Sequence, residues 1–249
     1  MTHELTYSSS KLFISTLGEH TQIGHYNTDI MVNIPPIILG QNDEHQLIIG
    51  LESLTIPLSI KMINENNNKI EIDNILYTIP SGNYTITNLV NFLNTINPSE
   101  YTFTYNQDKN RIALTLTSNT TYIIGNDTTC LKIVGCLPSV IPYQSGVLFT
   151  SIVNLTSTTS ILVQIQNLYT ANYDNLTKSS TTIARVPISC QPNQILSFYN
   201  NQPFYSTVSN RTIQMLHIRL LTDNYEPLIL DGSVDYNMTL RLDYILKKV

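Results

Sequence analysis

The closing stretch Val234-Asp235-Tyr236-Asn237-Met238-Thr239-Leu240-Arg241-Leu242-Asp243-Tyr244 carries six apolar side chains at strict period two, with Asp, Asn, Thr and Arg in the gaps. Successive strand residues point to opposite faces, so this spacing predicts one strand with a buried face and a wet face. A helix would scatter the same six residues around its circumference. Other stretches repeat the pattern. Residues 101–105 and 111–117, joined by a polar turn at 106–110, alternate large apolar residues with Thr and Ala and predict a hairpin. Residues 58–63 and 69–73, with the polar run 64–68 between them, predict a second. Further strands are expected over 29–39, 46–63, 161–165, 183–190, 195–199 and 213–221. Pro35-Pro36 removes two ladder donors, which places the first of these at an edge or a bend.

Two short helices interrupt the strands. Ile86, Leu89, Val90, Leu93 and Ile96 recur at spacings of three and four, with Thr85 or Thr87 as N-cap and Pro98 as the stop. A second helix is expected within 127–137, capped by Asp127, with Leu131, Val134 and Leu137 inward. Residues 1–27 are polar and aperiodic apart from Leu12-Phe13-Ile14, and read as an N-terminal arm. Residues 28–249 then form one domain, in which the Thr- and Ser-rich stretch 150–182 reads as an insertion or outer loop region. Many strands without helices alternating between them predict an all-β fold: a single jelly-roll β-sandwich of two antiparallel sheets. A double jelly roll needs two eight-stranded units, for which 249 residues are short.

Composition narrows the function. Hydrophobic residues make up 42% of the chain and charged residues only 12%, so Thr, Ser and Asn must supply the polar surface. Such a surface suits contact with neighbouring subunits. The net charge of -5 and the absence of a basic cluster beyond Lys247-Lys248 give no footprint for direct nucleic-acid binding. No segment approaches the roughly 18 apolar residues of a membrane span, and the start of the chain does not read as a secretory signal. The sequons at Asn83, Asn119, Asn126, Asn154, Asn175, Asn210 and Asn237 are therefore read as unglycosylated. Cys130, Cys136 and Cys190 match no zinc or redox spacing and read as buried thiols.

No catalytic constellation emerges. Gly-x-Ser-x-Gly, Gly-x-Gly-x-x-Gly and Walker-type stretches are all missing, and no close histidine pair exists for a metal, so no cofactor is expected. His217, within Met215-Leu216-His217-Ile218-Arg219, reads as a structural histidine ahead of a catalytic base. Asp43 with Glu44, and Asp231 with Asp235, sit beside turn residues and read as solvated acids ahead of a glycosidase pair. The fifteen tyrosines fit packing, and a carbohydrate-binding sandwich stays open.

Three passages carry a resemblance: Leu76-Tyr77-Thr78-Ile79-Pro80-Ser81-Gly82-Asn83-Tyr84-Thr85-Ile86 leading into the first helix; residues 101–116 followed by Cys130-Leu131-Lys132-Ile133-Val134-Gly135-Cys136; and Pro227-Leu228-Ile229-Leu230-Asp231-Gly232 before the closing strand. With gaps they span about residues 45 to 246. The chain resembles the penton-type minor capsid proteins of virophages and related polinton-like double-stranded DNA viruses. It departs from them at Cys136, where an aromatic residue is more usual. The resemblance implies a single jelly roll, assembly into a homopentameric vertex capsomer of the virion, and a neighbouring double-jelly-roll major capsid protein. The alternative carried forward is a trimeric fibre head or a receptor- or carbohydrate-binding sandwich.

Overall fold

The computed structural model describes residues 6–24, 26–38, 45–156, 158–168, 181–208, 210, 212–230 and 234–246. His3, His25, Asp43, Glu44, Asp231, residues 247–249 and nearly all of 169–182 lie outside them. The chain folds as two compact units. One takes residues 1–60 and 158–249, the other residues 61–157.

In chain order the first unit begins with β1 (Thr6–Ser15), β2 (Thr21–Gln22), β3 (Asp29–Ile38) and β4 (His45–Pro57). The other unit follows with β5 (Lys69–Ile72), β6 (Ile75–Thr78), α1 (Ile86–Ile96), β7 (Tyr101–Asn106) and β8 (Arg111–Leu116). It ends with β9 (Thr121–Tyr122), α2 (Leu131–Val134) and β10 (Tyr143–Gln144). The chain then returns to the first unit through β11 (Ser160–Ile165), β12 (Thr182–Pro187), β13 (Ile195–Tyr199), β14 (Ser206–Val208), β15 (Thr212–Leu221) and β16 (Asn237–Leu246).

One sheet of the first unit has the order β1-β16-β4-β13, with β14 also pairing to β4; the other has the order β12-β11-β15-β3-β2. Every pairing is antiparallel. Followed along the chain, β1 lies in the first sheet, β3 in the second, β4 in the first, β11 and β12 in the second, β13 and β14 in the first, β15 in the second and β16 in the first. This repeated crossing between sheets is a jelly roll, the fold expected from the strand pattern.

The closing strand shows why the sheets pack. Met238, Leu240 and Leu242 turn inward from β16, meeting Leu54, Leu51 and Ile49 of β4 in register. Ile161, Val163 and Ile165 of β11 and Leu216, Ile218 and Leu220 of β15 complete the core from the opposite sheet. In β4 the buried apolar side chains run Leu47, Ile49, Leu51, then Leu54 and Ile56. The three-residue step marks a β-bulge at Glu52, where the register against β16 shifts between Thr239 and Leu240. Pro35-Pro36 falls where β3 and β15 also slip, between the Ile37–Ile213 and Asn33–Met215 pairs, so the missing donors disturb an already irregular stretch.

Residues 61–157 have a core of their own, built from Ile70, Ile72, Leu89, Leu93, Tyr101, Phe103, Ile112, Leu114, Cys130 and Cys136 among others. Helix α1 begins where its cap predicts: Thr85 Oγ1 accepts from the Asn88 N–H at 3.2 Å. Cys130 and Cys136 are buried free thiols, whereas Cys190 is half-buried. Burial pushes the Cys136 thiol up to about 12.

Four sequence expectations change. The segment 1–27, read as an arm, contains β1, which pairs with β16 over ten consecutive residues without a slip. Its backbone is satisfied by a partner more than two hundred positions away, a signal that local periodicity does not carry. The insertion is residues 61–157, between β4 and β11, and not the Thr-rich stretch 150–182. β5 pairs with β6, and not with residues 58–63, because Asp73 and Asn74 both adopt positive φ (49° and 65°) and form a two-residue hairpin turn. The second helix is only Leu131–Val134 and lacks a side-chain cap. Asp127 does not start it, because Thr128 and Thr129 use their hydroxyls to accept from the backbone of Glu71 and Lys69. Leu137, expected inward, is exposed.

Candidate functional site

The outer face of the sheet β1-β16-β4-β13 gathers two ion pairs and a polar cleft. Register fixes its rows. Ser15, Asn237, Thr55 and Ser197 form one row across the four strands, and Phe13, Thr239, Ser53 and Tyr199 form the next. Both are uncharged. Lys11 and Arg241 follow, opposite Gly50, and then Ser9 and Asp243.

The segment between β13 and β14 crosses over this face at Gly50. A side chain there would put its Cβ 2.9 Å from Pro203 Cβ and 3.0 Å from the Phe204 carbonyl oxygen, so only glycine lets the strap lie down. Beneath it, Ser9, Asn201, Gln202, Tyr205, Arg241 and Asp243 line a cleft of about 450 Å³. The Arg241 guanidinium stands 6.0 Å above the Tyr205 ring, and its Nε donates to Asp243 Oδ1 (3.2 Å) and Ser9 Oγ (3.3 Å).

The bulge turns Glu52 to the same side, where its Oε1 accepts from Lys11 Nζ at 2.6 Å. Glu52 is only 5% exposed, and its Oε2 is buried without a hydrogen-bond partner. Removing water from an ionised group is costly unless a counter-charge remains, and each acid here has one. Burial alone would push the Asp243 carboxyl up, but hydrogen bonds from Ser9, Tyr205 and Arg241 together with the guanidinium charge outweigh it and hold its pKa below the ordinary aspartate value. Tyr205 is pushed up to about 12, first by burial and then by its hydrogen bond to Asp243.

The sign of the linkage follows. A carboxyl whose folded pKa is depressed contributes stability that is present above its unfolded pKa, about 4, and is lost as pH falls through the folded pKa. Asp243→Asn is therefore expected to flatten the acid limb of a melting-temperature profile. Equal acid slopes for the wild type and the variant would contradict this account of the carboxylate.

Large apolar side chains stand exposed beside the paired charges. Phe13 is 76% exposed, Tyr199 70% and Phe204 79%, and Ile195 is outward on the same face of β13. Such exposure on a single face exceeds the scattered apolar residues of an ordinary surface.

Of the residues singled out in the sequence, His217 and Asp235 are among the described ones, and each has hydrogen-bond partners of its own. His217 Nε2 lies 2.6 Å from Asp29 Oδ1, and Arg219 Nε lies 3.2 Å from Asp29 Oδ2, in a charged cluster on the opposite sheet. Asp235 Oδ1 accepts from Thr16 Oγ1 and Asn27 Nδ2, a tie between chain segments. Among the described residues, no group of three His, Cys, Asp or Glu side chains is placed to hold a metal ion, and no helix is long and apolar enough to cross a membrane.

No protein-family model matches the chain. No curated protein matches it either. Among solved structures, it is similar to the mavirus penton protein, at 11% identity and a TM-score of 0.47, covering 95% of this chain and 99% of that one. It is also similar to a chain in the cryo-EM structure of the Sputnik virophage, at 11% identity and a TM-score of 0.38, covering 97% of this chain and 98% of that one.

Sequence pattern alone does not reveal the outer-face cluster, because its members come from β1, β4, β13, the strap and β16. One signal does point to it. Strict alternation places Asn237, Thr239, Arg241 and Asp243 of the closing strand on one face, and they form the centre line of the cluster.

Proposed function

We propose that the chain is a structural capsid protein, without enzymatic activity, that forms the pentameric vertex capsomer of an icosahedral double-stranded DNA virus. In the virion it adjoins a double-jelly-roll major capsid protein. The observation that carries this reading is one jelly roll interrupted between β4 and β11 by a second compact unit. The first two passages that resemble penton-type proteins belong to that unit, with Tyr77, Ile79, Tyr84, Tyr101, Phe103, Ile112, Leu114, Ile133 and Cys136 sharing its core. The third leads into the closing strand of the jelly roll.

A ring of identical subunits needs two different patches on each copy, meeting in a closed heterologous contact. A surface of Thr, Ser and Asn with few free charges suits that use, because covering it strands few ions. Negative-stain images of the purified full chain are expected to show five-fold rings. Particles that stay single at high concentration contradict the proposal.

The cleft beneath the strap favours a second reading, in which the sandwich binds a saccharide. Its amides, hydroxyls, carboxylate and guanidinium beside a tyrosine ring are groups suited to a polyhydroxylated ligand. A trimeric mass with saturable glycan binding would replace the vertex assignment with this one.

A further inference from the structure

We propose that the outer face of the sheet β1-β16-β4-β13, centred on Phe13, Thr239, Ser53 and Tyr199, is the surface against which a second copy of this chain seats. The inference rests on the assembly reading above and adds to it the surface used.

Three observations point to this occupant. The two rows through Ser15 and Phe13 contain no charged residue, yet they present Ser, Thr and Asn hydroxyls and amides between two exposed aromatic rings. Interface cores are depleted in charge, and their binding energy concentrates in aromatic anchors ringed by adaptable polar groups. Second, the charges that do lie on the face are matched within the chain, Lys11 with Glu52 and Arg241 with Asp243. Covering them leaves no ion without its counter-charge. Third, both cations of the face among the described residues are committed in this way, so those residues offer no free positive charge to a phosphate backbone or an anionic bilayer. A protein surface with equally few charges is the complementary partner, and this chain, with 12% charged residues, is one.

The chain has no tryptophan, so a single indole reports on one place. In Phe13→Trp, emission is expected to be blue-shifted in the assembled protein and to move to the solvated value on dilution to single chains. An assembled oligomer whose indole emits as a fully solvated one overturns the inference and leaves the assembly reading standing. In Phe13→Ser/Tyr199→Ser, the chain is expected to fold with unchanged circular dichroism while the subunit dissociation constant rises at least roughly 30-fold. Unchanged association of that folded variant also overturns the inference. A non-pentameric oligomer that both variants report through this face supports the inference while overturning the five-fold reading. A wild-type chain that never associates overturns both.

Discussion

Gly135→Ala is expected to unfold or loosen the inserted unit. Gly135 ends α2 at φ +78°, with its N–H donating to the Leu131 carbonyl and its own carbonyl accepting from Ser151 N–H. A left-handed conformation costs a residue with a Cβ about 1–2 kcal/mol. The added Cβ would also lie 2.3 Å from the Ser151 carbonyl oxygen and 2.9 Å from its carbon. That neighbour is backbone held by a hydrogen bond, so it cannot swing away as a side-chain tip does. Overpacking in a closed interior costs about 1–3 kcal/mol more. A total of about 2–5 kcal/mol is a large share of a small unit's stability. Hydrogen exchange is the direct readout: amides in residues 61–157 should lose protection, while those of the sandwich, which has a separate core, should keep theirs. Unchanged protection across residues 61–157 would mean that α2 and the 151–153 stretch do not pack as described.

Leu240→Ala is expected to be as damaging to the jelly roll. Leu240 is fully buried and lies in register between Leu12 of β1 and Leu51 of β4, facing the opposite sheet. Truncating a buried leucine removes its transfer energy and leaves a cavity, for about 2–5 kcal/mol. Its neighbour Thr239 points outward, so Thr239→Ala should stay within about 0.5 kcal/mol. Denaturant midpoints with an unchanged m-value measure both. A loss below about 1 kcal/mol for Leu240→Ala would show that the sheets are not closely packed at the centre of β16.

The contrast between Leu240 and Thr239 is legible in the amino-acid sequence, because strict alternation over residues 234–244 assigns each side chain a face. The 101–117 hairpin and α1 are legible for the same reason: a local period matches one partner nearby. Where the partner is distant, the pattern fails. Leu12-Phe13-Ile14 looks like a short apolar run, and only pairing with β16 sorts it into buried Ile14 and exposed Phe13. The insertion is invisible in the sequence because its composition resembles that of the sandwich; what separates them is which apolar residues share a core. Residues 64–67 do form a turn, in which the Asn67 N–H donates to the Asn64 carbonyl, but the turn that closes the hairpin of β5 is Asp73-Asn74, only two residues long. The outer face of the sheet β1-β16-β4-β13 is legible only along β16, since Phe13, Glu52 and Tyr199 reach it through register and a bulge.

The inserted unit also exposes Val140 at 93%, beside Ile141. Their loop is closed by Tyr143, whose hydroxyl donates to the Leu137 carbonyl at 2.9 Å and accepts from the Leu137 N–H at 3.2 Å. Tyr143 is itself stacked on Tyr122, with ring centroids 5.5 Å apart. The loop is therefore held in shape by the core beneath it.

The proposed assembly brings copies of this jelly roll together around a five-fold axis. The mass of the purified full chain under native conditions, followed over a range of concentrations, tests it most directly. The account predicts a species of five 28.1 kDa chains. A mass of one chain at every concentration, or of three, would contradict it.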